Sequence, residues 1–116
     1  MAMLIYKIFR AAEWAEFAAQ GVTNGAPIDV RDGYVHLSTG AQVATTVALY
    51  FARETGLKIL ALDTEALGEA LVWEPSRGGA LFPHLYRELR RADVVWQMDL
   101  PLGDGGHIFP KGVLEE

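Results

Sequence analysis

Three short stretches concentrate side chains that move protons, hold anions or stack on rings. In Tyr34-Val35-His36-Leu37-Ser38, strand periodicity sets Val35 and Leu37 on one face and a phenol, an imidazole and a hydroxyl in a row on the other. A polar row beside an apolar one describes a cleft wall. It equally describes a solvent-facing strand whose histidine is hydrogen-bonded. In Trp73-Glu74-Pro75-Ser76-Arg77-Gly78-Gly79, a strand end runs into a turn, where side chains converge on a ligand from a rigid support. Glu74 offers a base or a grip on a sugar hydroxyl. Arg77 offers a fork for phosphate or carboxylate, and the glycines let backbone amides approach closely. The plainer alternative is a turn with Glu74 and Arg77 exposed. In Phe82-Pro83-His84-Leu85-Tyr86-Arg87, an extended chain places Phe82, His84 and Tyr86 on one side. An imidazole titrating near pH 6.5 suits acid–base work, although a packed edge has the same composition.

These stretches yield Glu74, His36 and His84 as candidate catalytic residues. Tyr34, Ser38, Thr39, Trp73, Ser76, Arg77 and Tyr86 are candidate ligand contacts. His36, His84 and Glu74 lack local metal-ligand spacing, so no metal is assigned, and the residues name no cofactor. The chain has no cysteine, hence no thiolate nucleophile, and it carries no phosphate-loop or Gly-x-Ser-x-Gly pattern. Lys7 reads as an edge lysine, and Arg87, Arg90 and Arg91 as a solvated basic face.

The elements that hold these residues are legible in the hydrophobic pattern. Leu4 to Phe9 is β-branched and aromatic, a first strand. Ala11, Trp14, Phe17 and Ala18 recur at helical spacing, with Gly21 as a stop. Thr23 to Asp32 carries turn chemistry. Gly33 to Ser38 reads as a strand, followed by a helix capped by Ser38 or Thr39 and running to about Glu54. Leu57 to Leu62, nearly all apolar, suits a strand covered on both faces. A capped turn at Asp63 to Gly68 and a strand at Leu71 to Glu74 follow. Phe82 to Tyr86 is extended at an edge, given Pro83, and Asp93 to Leu100 alternates as a half-buried strand. Short strands with two main helices, both early, indicate α+β.

With 116 residues and 51% hydrophobic content, a single domain over 1–100 is expected. Residues 101–116 then form a glycine-rich tail, mobile or docked through Ile108 and Phe109. A net charge of −5 argues against general nucleic-acid binding. No segment approaches the roughly 18–20 apolar residues of a membrane helix, and no signal peptide is evident. The expected setting is the cytoplasm and the expected partner a small molecule; oligomeric state stays open.

The chain resembles a family of small bacterial proteins catalogued as a domain of unknown function. The resemblance spans about residues 4–100 and rests on Ile5-Tyr6-Lys7-Ile8, Asp32-Gly33-Tyr34-Val35-His36-Leu37-Ser38-Thr39, Leu71-Val72-Trp73-Glu74-Pro75-Ser76 and Leu81-Phe82-Pro83-His84-Leu85-Tyr86. It implies that the three clusters form one site. More distantly, the order of Tyr34 to Ser38, the following helix, the Lys58 to Asp63 strand and the Trp73 segment is similar to the RNA 2′-phosphotransferases. That resemblance implies an ADP-ribosyltransferase-like fold, a split, curved, mostly antiparallel sheet with a nucleotide cleft. It also implies a role for His36 and Ser38 in holding a ribose or phosphate. The first-strand histidine of that superfamily is missing, since the matching stretch reads Tyr6-Lys7-Ile8-Phe9, and its phosphate-gripping arginines have no counterpart. The resemblance therefore transfers the cleft and not the activity. One reading is a nucleotide- or ribose-processing enzyme with Glu74 facing developing positive charge. Another is a binding module in which Trp73, Tyr86 and Tyr34 stack on a ring and Arg77 meets an anion. A third is a hydrolase using Glu74, His84 and water.

Overall fold

The computed structural model describes residues 3–114. In chain order its elements are β1 (Leu4–Arg10), α1 (Ala11–Gln20), β2 (Val22–Thr23), α2 (Pro27–Asp32), β3 (Val35–His36), β4 (Ser38–Thr39), α3 (Gly40–Tyr50), β5 (Leu57–Asp63), α4 (Thr64–Leu67), β6 (Leu71–Pro75), β7 (Leu81–Leu85), β8 (Leu89–Arg90), β9 (Val94–Leu100), β10 (Leu102–Gly103) and β11 (Gly106–His107).

Alternation along β1 organises the core. Ile5 and Phe9 point to one side of the sheet and pack with Leu60 and Leu62 of β5, Phe17 of α1, Val35, Leu37, Leu85 and Leu89. Tyr6 and Ile8 point to the other and pack with Ile59 and Ala61 of β5, Val43 and Val47 of α3, and Leu100. A sheet covered on both faces needs an apolar central strand, and β5 supplies it. It pairs with β1 from Leu4↔Asp63 to Arg10↔Leu57 and with β9 on its other edge. Each Leu, Ile or Phe buried this way contributes about 1.5–3 kcal/mol.

The structure is a mixed α+β fold of antiparallel sheets with few helices. Four strands run in the order β4-β1-β5-β9 and three in the order β3-β7-β6. The expected Gly33 to Ser38 strand is in fact two short ones, because the chain changes sheets within it. Val35 and His36 pair with β7, while Ser38 and Thr39 pair with β1. Leu37 sits at the crossing, its N–H donating to the Pro83 carbonyl at 3.1 Å. One five-residue stretch thus ties the two sheets together and presents side chains to the space between them.

Two further expectations are corrected. Within the Thr23 to Asp32 turn region lies α2, because Pro27 presets the first helical residue and the Asp29 carboxylate accepts the Ala26 N–H at 2.7 Å, capping the N-terminus. Gly33, at φ 88°, closes this helix in the left-handed region that favours glycine. The helix expected to reach Glu54 stops at Tyr50. Phe51 leaves helical geometry to pack against the second core cluster, and Arg53 takes a φ of 62°. Beyond Pro101, β10 and β11 pair as a hairpin, and Phe109 and Val113 pack on the second core cluster. No helix among the described residues is long and apolar enough to cross a membrane.

Candidate functional site

Strand register gathers the histidines. His36 on β3 stands directly opposite His84 on β7, and the rings meet edge to face at 5.5 Å. On the other side of β7, Glu74 of β6 opposes Phe82, which puts it diagonal to His84 on the same face, within side-chain reach. Its Oε1 lies 2.7 Å from His84 Nδ1, and the same oxygen accepts the Tyr86 hydroxyl at 2.7 Å. Tyr34 stacks on His84 with ring centroids 4.2 Å apart and also touches His36 and Tyr86. The sequence clusters therefore meet at one place.

The Glu74 carboxylate fixes the tautomer of His84. The Tyr86 and His84 hydrogen bonds hold the Glu74 carboxyl below its ordinary range, so Glu74 is ionised at neutral pH and can only accept. The proton between them belongs to His84 Nδ1, so in the neutral ring the lone pair resides on Nε2. His84 is 3% exposed. Its Nε2 has no partner among the described residues and is not sealed in the interior. His84 lines a cleft of about 570 Å³.

His36 is placed differently. Its Nδ1 lies 2.6 Å from Asp29 Oδ1 and its Nε2 3.0 Å from Asp32 Oδ2, so both ring nitrogens are engaged by carboxylates. The two carboxylates of α2 thus hold the His36 ring in place at the edge of the cleft it lines. Asp29 is the hub behind it. This carboxylate, 1% exposed, takes His36 Nδ1, the His36 N–H at 2.9 Å, the Ala26 N–H and Lys7 Nζ at 2.7 Å. Burial pushes its pKa up, but the His36 hydrogen bond and the Lys7 charge outweigh burial and hold it below the usual value. Lys7 also donates to the His36 carbonyl at 3.0 Å. It is a buried strut, not the edge lysine read from the sequence, because β1 is covered on both faces.

The cleft is also lined by Ser38, Thr46, Ser76 and Arg77, with Tyr50, Phe51 and Phe82 as apolar surface. Ser38 Oγ lies 3.0 Å from Thr46 Oγ1, which also accepts from Arg77 Nη2 at 3.3 Å. Of the sequence candidates, Tyr34, His36, Ser38, Ser76, Arg77 and His84 line the cleft. Glu74 stands behind His84, and Tyr86 lines a smaller hollow on the other side of Tyr34. Trp73 and Thr39 stay off the cleft. Trp73 faces outward from β6 opposite Pro83, and Thr39 starts α3, its N–H donating to the Gln42 side chain at 3.1 Å. Glu74 therefore stands next to the cleft through the His84 ring whose Nδ1 it holds.

Asp29, Asp32 and Thr46 were not picked out from the sequence. Pro27-Ile28-Asp29 carries the available signal for Asp29, a proline followed by an acid at the third helical position. Thr46 lies one turn after Gln42 on α3, a polar stripe on an otherwise apolar helix. Arg87 leaves the solvated face assigned to it and forms a two-pronged pair with the buried Asp93 at 2.8 and 3.0 Å.

The chain matches the family model described as "Protein of unknown function (DUF952)" over residues 8–97. It is similar to the crystal structure of protein CC0527 from Caulobacter crescentus, with 48% identity, a TM-score of 0.85, and coverage of 90% of this chain and 91% of that one. A double mutant of CC0527 matches at 47% identity and TM-score 0.85. Its solution NMR structure matches at 48% and 0.81, covering 90% of each chain. No curated protein matches the chain in sequence.

Proposed function

The chain belongs to this family of unknown function, and from its cleft we propose that it is an acid–base enzyme acting on a small ligand of nucleotide or ribose type, with His84 as the proton-transfer group. One observation carries the reading. Glu74 fixes the Nδ1 proton of His84 at 2.7 Å, leaving Nε2 as the basic nitrogen of a ring that lines a cleft of about 570 Å³, a size suited to a small molecule. A histidine held this way removes a proton from a ligand hydroxyl or a water and returns it to the departing group. Its carboxylate partner sets the tautomer and steadies the imidazolium formed in between, as in carboxylate–histidine pairs generally.

The aromatic wall supports a ring-bearing ligand, since Tyr34, Tyr50, Phe51 and Phe82 line the same space and offer faces for stacking. The distant resemblance to the RNA 2′-phosphotransferases makes NAD and ADP-ribose the first ligands to screen, with mononucleotides and sugar phosphates beside them. The aromatic wall equally suits the second reading, a module that binds such a ligand without converting it.

A melting-temperature screen finds the ligand, because a compound at a hundredfold excess over its Kd stabilises the fold by about 2.7 kcal/mol. Turnover of each hit is then compared between wild type and His84→Asn. The enzyme reading expects turnover to fall by about a hundredfold or more with affinity nearly kept. Hits that bind and are never converted support the module and overturn the enzyme.

A further inference from the structure

Ser38, Thr46 and Arg77 form a hydrogen-bonded chain along the cleft wall, and counting its protons tells what each end has left to offer. Thr46 Oγ1 donates to the Gln42 carbonyl at 3.2 Å, which spends its single proton. The contact between Ser38 Oγ and Thr46 Oγ1 at 3.0 Å must then use the Ser38 proton. Thr46 accepts this bond and the one from Arg77 Nη2, and so has no capacity left. Ser38 has given its proton away and keeps lone pairs. It is 5% exposed and lines the cleft, so its oxygen is an acceptor with little water to serve it, waiting for a donor.

Arg77 is the other end. Its guanidinium packs over Phe82 at 4.8 Å and Tyr50 at 6.0 Å. Among the described residues no carboxylate pairs with it, whereas the other cations lining the cleft are taken, Lys7 by Asp29 and Arg10 by Glu54. Most of the Arg77 fork is therefore free for an anion. Ser76 beside it adds a hydroxyl on the same wall, which the third oxygen of a phosphate can use.

We infer that the cleft recognises a phosphorylated polyol, a sugar phosphate or nucleotide, with its phosphate on Arg77 and one of its hydroxyls donating to Ser38. The inference rests on the cleft being a small-ligand site, as in the reading above, and is independent of any proton transfer by His84.

The test is calorimetric titration of the full chain with ribose 5-phosphate, propyl phosphate and inorganic phosphate. The sugar phosphate should bind about tenfold tighter than propyl phosphate, the size of a hydrogen bond to a buried acceptor. Arg77→Ala should weaken all three by roughly tenfold or more, as loss of a charged contact does. Ser38→Ala should remove the advantage of the sugar phosphate and leave propyl phosphate within about twofold. Equal binding of ribose 5-phosphate and propyl phosphate by the wild type would overturn the hydroxyl assignment without any variant. Indifference of all three ligands to Arg77→Ala, or no binding at all, would overturn the phosphate assignment. Because each arm reads affinity without turnover, failure of the enzyme reading leaves these expected affinities unchanged.

Discussion

Lys7 and Asp29 form an ion pair at 2.7 Å whose side chains are 6% and 0% exposed, and this pair joins the central sheet to the helix that carries His36's carboxylate partners. Charges removed from water in this way hold only while each has the other. Asp29 also accepts two backbone N–H groups and a histidine nitrogen, so removing it strands several donors at once. Asp29→Ala is expected to cost about 3–5 kcal/mol, read by urea unfolding. Lys7→Met in the Asp29→Ala background should cost little more than Asp29→Ala alone, since the buried ammonium has by then lost its counter-charge. Additive costs would show that the two residues act separately.

The same pair predicts an acid-sensitive fold. The folded Asp29 carboxyl ionises below its ordinary value of 3.8, so the unfolded chain takes up its proton first as pH falls. The stability this group contributes is complete above its unfolded pKa and declines as pH drops through the folded one. The stability difference between wild type and Asp29→Asn should thus be constant near neutrality and shrink below about pH 4. A difference that grows on acidification would mean that the folded carboxyl has a raised pKa.

The C-terminal segment belongs to the packing argument too. Val113 is 1% exposed, while its neighbour Leu114 is 51% exposed. Val113→Ala should therefore cost roughly 1–3 kcal/mol, and Leu114→Ala less than about 0.5 kcal/mol, in thermal or chemical unfolding. Equal small effects would mean that the segment contributes nothing to the core.

What the sequence revealed follows from the range of the forces involved. β1, β5 and β9 were legible because alternation and apolar runs are local consequences of facing a core. So was the polar face of Tyr34, His36 and Ser38. α2 was hidden because Asn24-Gly25 and Pro27 are turn residues whichever structure follows, and only the capping position of Asp29 distinguished a helix. The change of sheets at Leu37 depends on a hydrogen bond to Pro83, which no local pattern records. The different fates of the two histidines were equally invisible. His36 is enclosed by Asp29 and Asp32 through a helix called a turn, and His84 is met by Glu74 through the register of β6 on β7. The residues were nameable from types and spacing; their roles needed the register.

That register yields a spectroscopic test. Tyr86 gives its hydroxyl proton to the Glu74 oxygen that also holds His84, and ionising the phenol would set two negative charges against each other. The Glu74 hydrogen bond accordingly pushes the Tyr86 pKa up to about 12. Glu74→Gln removes the charge and keeps the shape, so the Tyr86 phenol should ionise nearer its ordinary value of 10.0, visible in ultraviolet pH titration as one tyrosine moving down. Tyr86→Phe in the wild-type background identifies which transition disappears. In Glu74→Gln the amide can donate to Nδ1 as well as accept from it, so the ring loses its fixed tautomer and any His84-dependent turnover should fall with it. Should the phenol titration stay unchanged in Glu74→Gln, Glu74 would not be the group gripping Tyr86, and the argument that it also sets the proton on His84 would lose its support.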